Sequence, residues 1–201
     1  SRELGNKRWL SIPWPKEFGG LVGSYIDQLI LAEELSAQHS PGLEIFGNLI
    51  SIAILEFGTA EQKKQHLAWI RGGTLYWCEC LSEPNAGSDL ASLQTSAREE
   101  ADHYVLNGQK VWTSAAHTAD WAYVLARTHP ELPKHRGISG FLVNLKTPGV
   151  SVRPLINANG DQGFNEVFFD DLHVPKENLL GGKNKGWHVT LRLLDFERVD
   201  I

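Results

Sequence analysis

Residues 81–89 read LSEPNAGSD, and residues 107–114 read NGQKVWTS. The first stretch is a polar loop whose small residues let backbone N–H groups approach an anion closely, as in a phosphate cradle. The second places an indole and two hydroxyls on a strand directly after a tight turn. Together they predict a seat for a pyrophosphate, an aromatic wall and hydrogen-bond partners for a planar heterocycle.

Length and composition limit the class of protein. The 201 residues suggest one or two domains, and 42% hydrophobic with 21% charged residues is ordinary for a folded chain. A net charge of −5 argues against a general nucleic-acid binder. No apolar run is long enough to predict a membrane span, and residues 1–8 lack the apolar core of a secretory signal, so we expect a cytoplasmic protein. Cys78 and Cys80 are expected to be reduced core thiols, and no metal site is expected.

Residues 1–75 read as a helical domain. Apolar residues recur at helical spacing over 23–38, and residues 42–57 are apolar on most sides, which predicts a buried helix. Thr59 and Gln62 form a capping box that predicts a third helix, ending at Gly72-Gly73.

Residues 76–182 read as a β domain, and 183–201 as the start of a further helical region. Asn107-Gly108 between two β-like runs predicts a hairpin turn that sets the register of its strands. Further strands are expected at 121–127, 140–145, 150–155 and 166–174, and a helix at 186–196. A helical block followed by an antiparallel β block predicts an α+β fold.

Both opening stretches closely resemble the flavin-binding signatures of the acyl-CoA dehydrogenase family. The resemblance extends to WPKEFGG at residues 14–20, NEVFFDDLHVP at 165–175, the Gly186-Trp187 pair and FER at 196–198. It implies a helical N-terminal domain, an antiparallel β-barrel-like middle domain and a C-terminal helical bundle that is absent from this chain. Because the chain contains no methionine and stops at Ile201, we expect it to be part of a longer protein.

The resemblance implies FAD as cofactor and assigns roles to residues. Leu81 and Ser82 match positions that bond the pyrimidine end of the flavin ring, and Gly87 and Ser88 match those that face its pyrophosphate. Trp112 would lie against the ring. Ser114 would hydrogen-bond near flavin N5. Glu197, directly before an arginine, matches one of the two places where relatives carry the catalytic base.

Each role has a structural alternative. Residues 87–89 could be a turn that caps a short helix, with Ser88 or Asp89 as the cap. Trp112 could be a core tryptophan, and Glu197 an exposed acid paired along its helix. Glu79 stands where relatives often have an aromatic or amide residue, and a carboxylate beside a reduced flavin would be unfavourable, so we expect Glu79 to point outward to solvent.

The implied reaction is the α,β-dehydrogenation of an acyl-CoA thioester in lipid and fatty-acid metabolism. An electron-transfer flavoprotein or similar acceptor, and a homo- or hetero-oligomeric assembly of the full-length protein, are the implied partners. The resemblance slightly favours bulky or ring-bearing acyl chains. Flavin oxidases or monooxygenases of the same fold, and a non-catalytic subunit of a mixed assembly, are the alternatives. Because relatives hold the adenine end of FAD with a neighbouring subunit's C-terminal bundle, residues 1–201 alone are expected to bind FAD weakly and to be inactive.

Overall fold

The computed structural model describes residues 2–39 and 45–200, and the chain divides into two compact units. The first unit comprises residues 1–76 and 192–201, and the second comprises residues 77–191. The expected start of a helix at Gly42 lies outside the described residues. Within the described ranges, no helix is both long enough and apolar enough to cross a lipid bilayer.

The first unit is helical. It contains α1 (Arg2–Asn6), α2 (Tyr25–Ala37), α3 (Ile45–Phe57), α4 (Ala60–Gly72) and the end of α5 (Gly186–Asp200). The predicted capping box begins α4: the Thr59 N–H donates to Gln62 Oε1 at 2.9 Å, and the Gln62 N–H donates to Thr59 Oγ1 at 3.2 Å. The helix ends at Gly73, whose φ of 58° is left-handed.

The core of this unit lies between α3 and α4. The prediction of a buried second helix is confirmed, because both helices contribute buried side chains: Leu49, Ile50, Ala53, Ile54, Leu67 and Ile70. The expected helix over 23–38 also forms as α2, but none of its residues is buried, and Tyr25 and Ile30 are exposed. Apolar spacing therefore predicted this helix but not how much of its face is covered.

The second unit is built on one sheet of eight strands. They are β1 (Trp77–Cys80), β2 (Ser96–Glu99), β3 (His103–Ser114), β4 (Trp121–Arg127), β5 (Ile138–Asn144), β6 (Val150–Leu155), β7 (Phe164–Pro175) and β8 (Leu179–Leu180). The hydrogen-bonded order is β6-β7-β3-β2-β4-β5-β8, with β1 beside β4. Strands β1 and β2 pair with β4 in parallel, and the other pairs are antiparallel.

These elements confirm the α+β class, with helices followed by a mostly antiparallel sheet. The sheet is not a closed barrel, because among the described residues no pairing joins β6 to β8. Cys78 and Cys80 form no disulfide with a described residue and are fully buried in β1, as expected of core thiols.

The predicted hairpin at Asn107-Gly108 is wrong. Strand β3 runs without a turn from His103 to Ser114 and pairs along its length with β7. The Asn107 side chain bonds a residue far away in sequence: its Nδ2 donates to Asp171 Oδ1 at 2.9 Å, and the Asp171 N–H donates to Asn107 Oδ1 at 2.9 Å. The pair marks an irregularity in the sheet instead of a chain reversal.

Two β-bulges interrupt the pairing of β3 with β7. Between Leu106 and Gly108 the extra residue lies on β7, and between Lys110 and Thr113 it lies on β3. The register is therefore displaced by one residue only between the bulges and is restored beyond them. Each bulge contains a non-glycine residue with positive φ, Asp171 at 43° and Trp112 at 60°.

Gly108 has a backbone φ of 152°, and an added Cβ would lie 2.7 Å from the Thr95 Cα. We therefore expect Gly108→Ala to lower the free energy of unfolding by at least about 2 kcal/mol. The measurement is urea unfolding followed by circular dichroism. Gly87→Ala is the matched control, because no atom lies within 4 Å of its added Cβ. Equal stability of the two variants would contradict this account of Gly108.

Candidate functional site

The loop after β1 is attached to the middle of β3. The Val111 N–H donates to the Ser82 carbonyl oxygen at 2.9 Å, and Lys110 Nζ donates to the Leu81 carbonyl oxygen at 2.9 Å. Two bonds between Glu83 and Ala86, each 3.0 Å long, then fold the loop back on itself just before Gly87. The structure thus brings Leu81 and Ser82 to the strand segment that carries Trp112.

A buried ion pair lies beneath this loop. Lys110 Nζ is 2.9 Å from Glu83 Oε1, and the two side chains are 0% and 8% exposed. Glu83 also accepts from the backbone N–H groups of Gln94 at 2.6 Å and Thr95 at 2.9 Å. The pair therefore joins both ends of the 81–95 loop to β3.

The protonation of this pair follows from its surroundings. Burial raises the pKa of Glu83, but the Lys110 charge and the hydrogen bonds from Thr95, Gln94 and Lys110 outweigh burial, so the net pKa is lowered. Burial lowers the pKa of Lys110, and the Glu83 carboxylate opposes that shift. Because Lys110 Nζ donates both to a carboxylate and to a carbonyl, we describe the pair as ionised.

Arg127, at the end of β4, holds the far side of the loop. Its guanidinium donates to the carbonyl oxygens of Ala91 at 2.7 Å and Leu93 at 3.1 Å, and also to that of Lys134 at 3.0 Å. Burial lowers the pKa of Arg127, and nearby Glu83 opposes this effect. Sequence reasoning assigned no role to Glu83, Lys110 or Arg127, although the first two lie inside the quoted stretches.

Gly87 and Ser88 are exposed at the tip of the loop. An added Cβ at Gly87 would meet no atom within 4 Å, so open space lies in front of this residue. A short 3-10 helix, Leu90–Ser92, does follow, but Asp89 makes no side-chain cap and its Oδ2 instead lies 2.7 Å from Lys134 Nζ. No described residue hydrogen-bonds the Ser88 hydroxyl.

Trp112 is not a core residue. Its side chain is 63% exposed, and its φ of 60° is rare for a bulky residue. Among the aromatic pairs of the described residues, the indole contacts one second exposed ring, that of Phe164, with ring centroids 6.2 Å apart and planes at 83°. An exposed aromatic face and a backbone outlier at the same residue indicate a functional constraint.

Ser114 and Trp112 flank the buried Thr113. The Thr113 carbonyl oxygen accepts from Asn165 Nδ2 at 2.9 Å, and the fully buried Asn165 places its Oδ1 3.2 Å from His117 Nδ1. Asn165 thus ties this part of β3 to β7. Asn165 belongs to the NEVFFDDLHVP motif, but the motif alone does not predict this role.

Glu79 does not point freely to solvent. It is half-buried in β1, and its charge contributes to raising the pKa of the buried Tyr123. The main cause of that shift is the burial of the phenol itself.

Glu197 lies on α5 in the first unit. It is half-buried, and burial raises the pKa of its carboxyl group. The adjacent Arg198 pairs with Asp195 at 3.3 Å, and no described residue forms a hydrogen bond or an ion pair with the carboxylate of Glu197. Among the side chains that the structure describes on α5, none is paired with this carboxylate.

The residues present fit a flavin nucleotide. The open space at Gly87 leaves room for a pyrophosphate, and the exposed indole of Trp112 suits a planar ring. Among the described residues, no group of three or more histidine, cysteine, aspartate or glutamate side chains could hold a metal ion.

The chain matches two known family models. Residues 1–74 match the model of the acyl-CoA dehydrogenase N-terminal domain, and residues 78–172 match that of the acyl-CoA dehydrogenase middle domain. Acyl-CoA dehydrogenase FadE34 of Mycobacterium tuberculosis is 46% identical over 198 residues, covering 98% of this chain and 28% of the relative. The chain thus belongs to the acyl-CoA dehydrogenase family, whose members are oxidoreductases.

Solved structures show the same fold. The Tcur3481-Tcur3483 steroid ACAD superposes with a TM-score of 0.93 and 35% identity, covering 99% of this chain and 52% of that one. The ChsE4-ChsE5 complex from Mycobacterium tuberculosis superposes with a TM-score of 0.89 and 38% identity, covering 96% of this chain and 50% of that one. The chain spans about half the length of these structures, and 28% of FadE34.

Removing the ammonium at position 110 should leave a buried carboxylate without its counter-charge. We expect Lys110→Met to cost about 3–5 kcal/mol of stability in denaturant unfolding, and Glu83→Gln/Lys110→Met to recover most of it. Lys134→Met, which breaks the exposed pair with Asp89, is the control and should cost less than about 1 kcal/mol.

The same pair predicts a pH dependence. Because the pKa of Glu83 is lower in the folded chain than its ordinary 4.5, the stability that Glu83 contributes is complete above pH 4.5. This stability is lost as the pH falls through the lowered pKa of the folded chain.

For the variants of the ion pair, a Glu83→Gln/Lys110→Met protein that is no more stable than Lys110→Met would contradict the pairing.

Proposed function

We propose that the full-length protein is an FAD-dependent dehydrogenase that forms an α,β double bond in an acyl-CoA thioester. The observation that carries the proposal is Trp112, an exposed indole on a left-handed backbone, attached to a loop whose Gly87 leaves open space. Family membership supports the reaction class.

The cofactor is proposed to lie along the loop and β3. Gly87 and Ser88 hold the pyrophosphate through N–H groups and a hydroxyl, and Trp112 covers one face of the ring. Leu81 and Ser82 bond the pyrimidine end, and Ser114 places its hydroxyl near N5. When bound, the flavin accepts at N5 the hydride that leaves the β carbon.

Glu197 is proposed as the base that removes the proton from the α carbon. Its support is its match to the family's position before an arginine, its lack of a described partner and the effect of burial on its pKa. A raised pKa makes the carboxylate a stronger base for a weakly acidic carbon.

Substrate, acceptor and assembly are inferred from resemblance. A ring-bearing or bulky acyl chain is favoured, since one similar structure is named a steroid ACAD. An electron-transfer flavoprotein or similar acceptor would take the electrons. Two similar structures are named as pairs of different proteins, which supports an oligomer. A cytoplasmic location stays a prediction. We also propose that residues 1–201 alone bind FAD weakly and do not turn over substrate.

Gly87→Ala should weaken FAD binding without loss of stability, because the added Cβ enters space that the folded chain leaves open. We expect at least about tenfold weaker binding in the full-length protein, measured by titrating the apoprotein with FAD. Gly72→Ala is the control, since its added Cβ would make only an ordinary contact with Thr74. Unchanged affinity in Gly87→Ala would contradict the proposed pyrophosphate seat.

Glu197→Gln in the full-length protein should slow anaerobic reduction of bound flavin by acyl-CoA about 100- to 10,000-fold, with FAD content unchanged. Stopped-flow bleaching of the flavin band is the measurement, and Asp195→Asn on the same helix is the control. Because the pKa of Glu197 is raised, the wild-type rate should fall as pH drops through an apparent pKa above the ordinary 4.5. Reduction of Glu197→Gln at the wild-type rate would exclude this base.

Air reoxidation separates the related enzyme classes. Slow reoxidation after acyl-CoA reduction is expected of a dehydrogenase, and rapid reoxidation would indicate an oxidase or monooxygenase. A full-length protein without visible flavin would indicate the non-catalytic subunit.

A further inference from the structure

Two successive carbonyl groups of the loop are held by β3. The Leu81 oxygen accepts from Lys110 Nζ at 2.9 Å, and the Ser82 oxygen accepts from the Val111 N–H at 2.9 Å. The ammonium that holds the first carbonyl is wholly buried and is itself held by Glu83 Oε1 at 2.9 Å. The orientation of the peptide between Leu81 and Ser82 is therefore fixed from the protein interior.

Peptide geometry then determines where a donor points. In a planar trans peptide, the C=O of one residue and the N–H of the next lie on opposite sides. Because the Leu81 oxygen is directed at the buried ammonium, the Ser82 N–H is directed away from it. The following N–H, that of Glu83, is used within the loop by the Ala86 oxygen at 3.0 Å. No described residue accepts from the Ser82 N–H.

We infer that Lys110, held by Glu83, is a positioning residue of the flavin site, which presents the Ser82 N–H to an oxygen of the flavin pyrimidine ring. This inference rests on the proposed function. Lys110 does not touch the cofactor in this account. It acts through the Leu81–Ser82 peptide, whose rotation its hydrogen bond prevents.

The counter-charge explains why a lysine can serve here. A buried ammonium is costly without a partner, and Glu83 supplies one that is itself fixed by the N–H groups of Gln94 and Thr95. Glu83 thereby fixes the position of the ammonium, and a second N–H of the ammonium remains available to donate to the Leu81 oxygen. A neutral apolar side chain at position 110 would fill the space but would leave that carbonyl without a donor.

The test uses full-length protein and three probes: FAD, 2-thio-FAD and 4-thio-FAD. In the analogues, sulfur replaces one pyrimidine oxygen and is the weaker hydrogen-bond acceptor. The key variant is Glu83→Gln/Lys110→Met, which removes both charges together and so leaves no orphaned ion. Lys146→Met is the matched control, because it breaks an ion pair with Asp120 that involves an exposed lysine.

Wild-type protein and the Lys146→Met control should bind at least one thio-flavin about 3- to 10-fold more weakly than FAD. The double variant should bind FAD about tenfold more weakly and bind all three flavins within about twofold of one another. Loss of discrimination reports the loss of the donor itself, because a change that weakens binding but leaves the Ser82 N–H in place lowers the affinity for all three flavins by the same factor.

A folded double variant that keeps the wild-type discrimination, or the wild-type affinity for FAD, would overturn the inference. Near-UV circular dichroism verifies folding, and Glu83→Gln/Lys110→Leu serves the same purpose if the methionine pair does not fold. A wild-type protein that binds none of the three flavins would instead refute the proposed function, so the two failures are distinguishable.

Discussion

The buried ion pair of Glu83 and Lys110 is the interaction on which the arrangement of the second unit's loop depends. Removing two charges from water costs several kcal/mol per ion, and only close, fully hydrogen-bonded geometry offsets that cost. Both partners meet this condition, since each bonds backbone groups as well as the other. The exposed pair of Lys134 with Asp89 is different, because water already solvates both ions.

Local interactions made much of the fold predictable. The capping box at Thr59 and Gln62 involves residues three apart, so sequence alone identified it, together with the helix it begins. The Asn107-Gly108 error has the opposite cause. The conformation of this dipeptide depends on Asp171, which lies 64 residues away and whose backbone and side chain both form hydrogen bonds with Asn107. A dipeptide that favours tight turns can equally occupy an irregular strand when its partner comes from elsewhere in the sheet.

Sequence motifs predict residues for the candidate site, but they do not predict which residues support the loop that carries them. Gly87 and Trp112 are predicted site residues because each occupies a defined position in its own motif. The supports could not be found in this way, because Arg127 acts on carbonyl groups more than thirty residues away, where side-chain identity carries no signal. The left-handed backbone of Trp112 is likewise a property of β3 paired with β7 and not of the residues around it.

The paired bulges of β3 and β7 have a consequence for how this segment can change over evolutionary time. Because one extra residue on each strand cancels the other, deleting a single residue at either bulge would move a whole strand end by one position and turn its inward side chains outward. Deleting one residue from each strand together would restore the alignment. The number of residues between Asn107 and Thr113 is thus coupled to the number between Asn165 and Leu172, because only equal changes in both strands keep the pairing beyond the bulges.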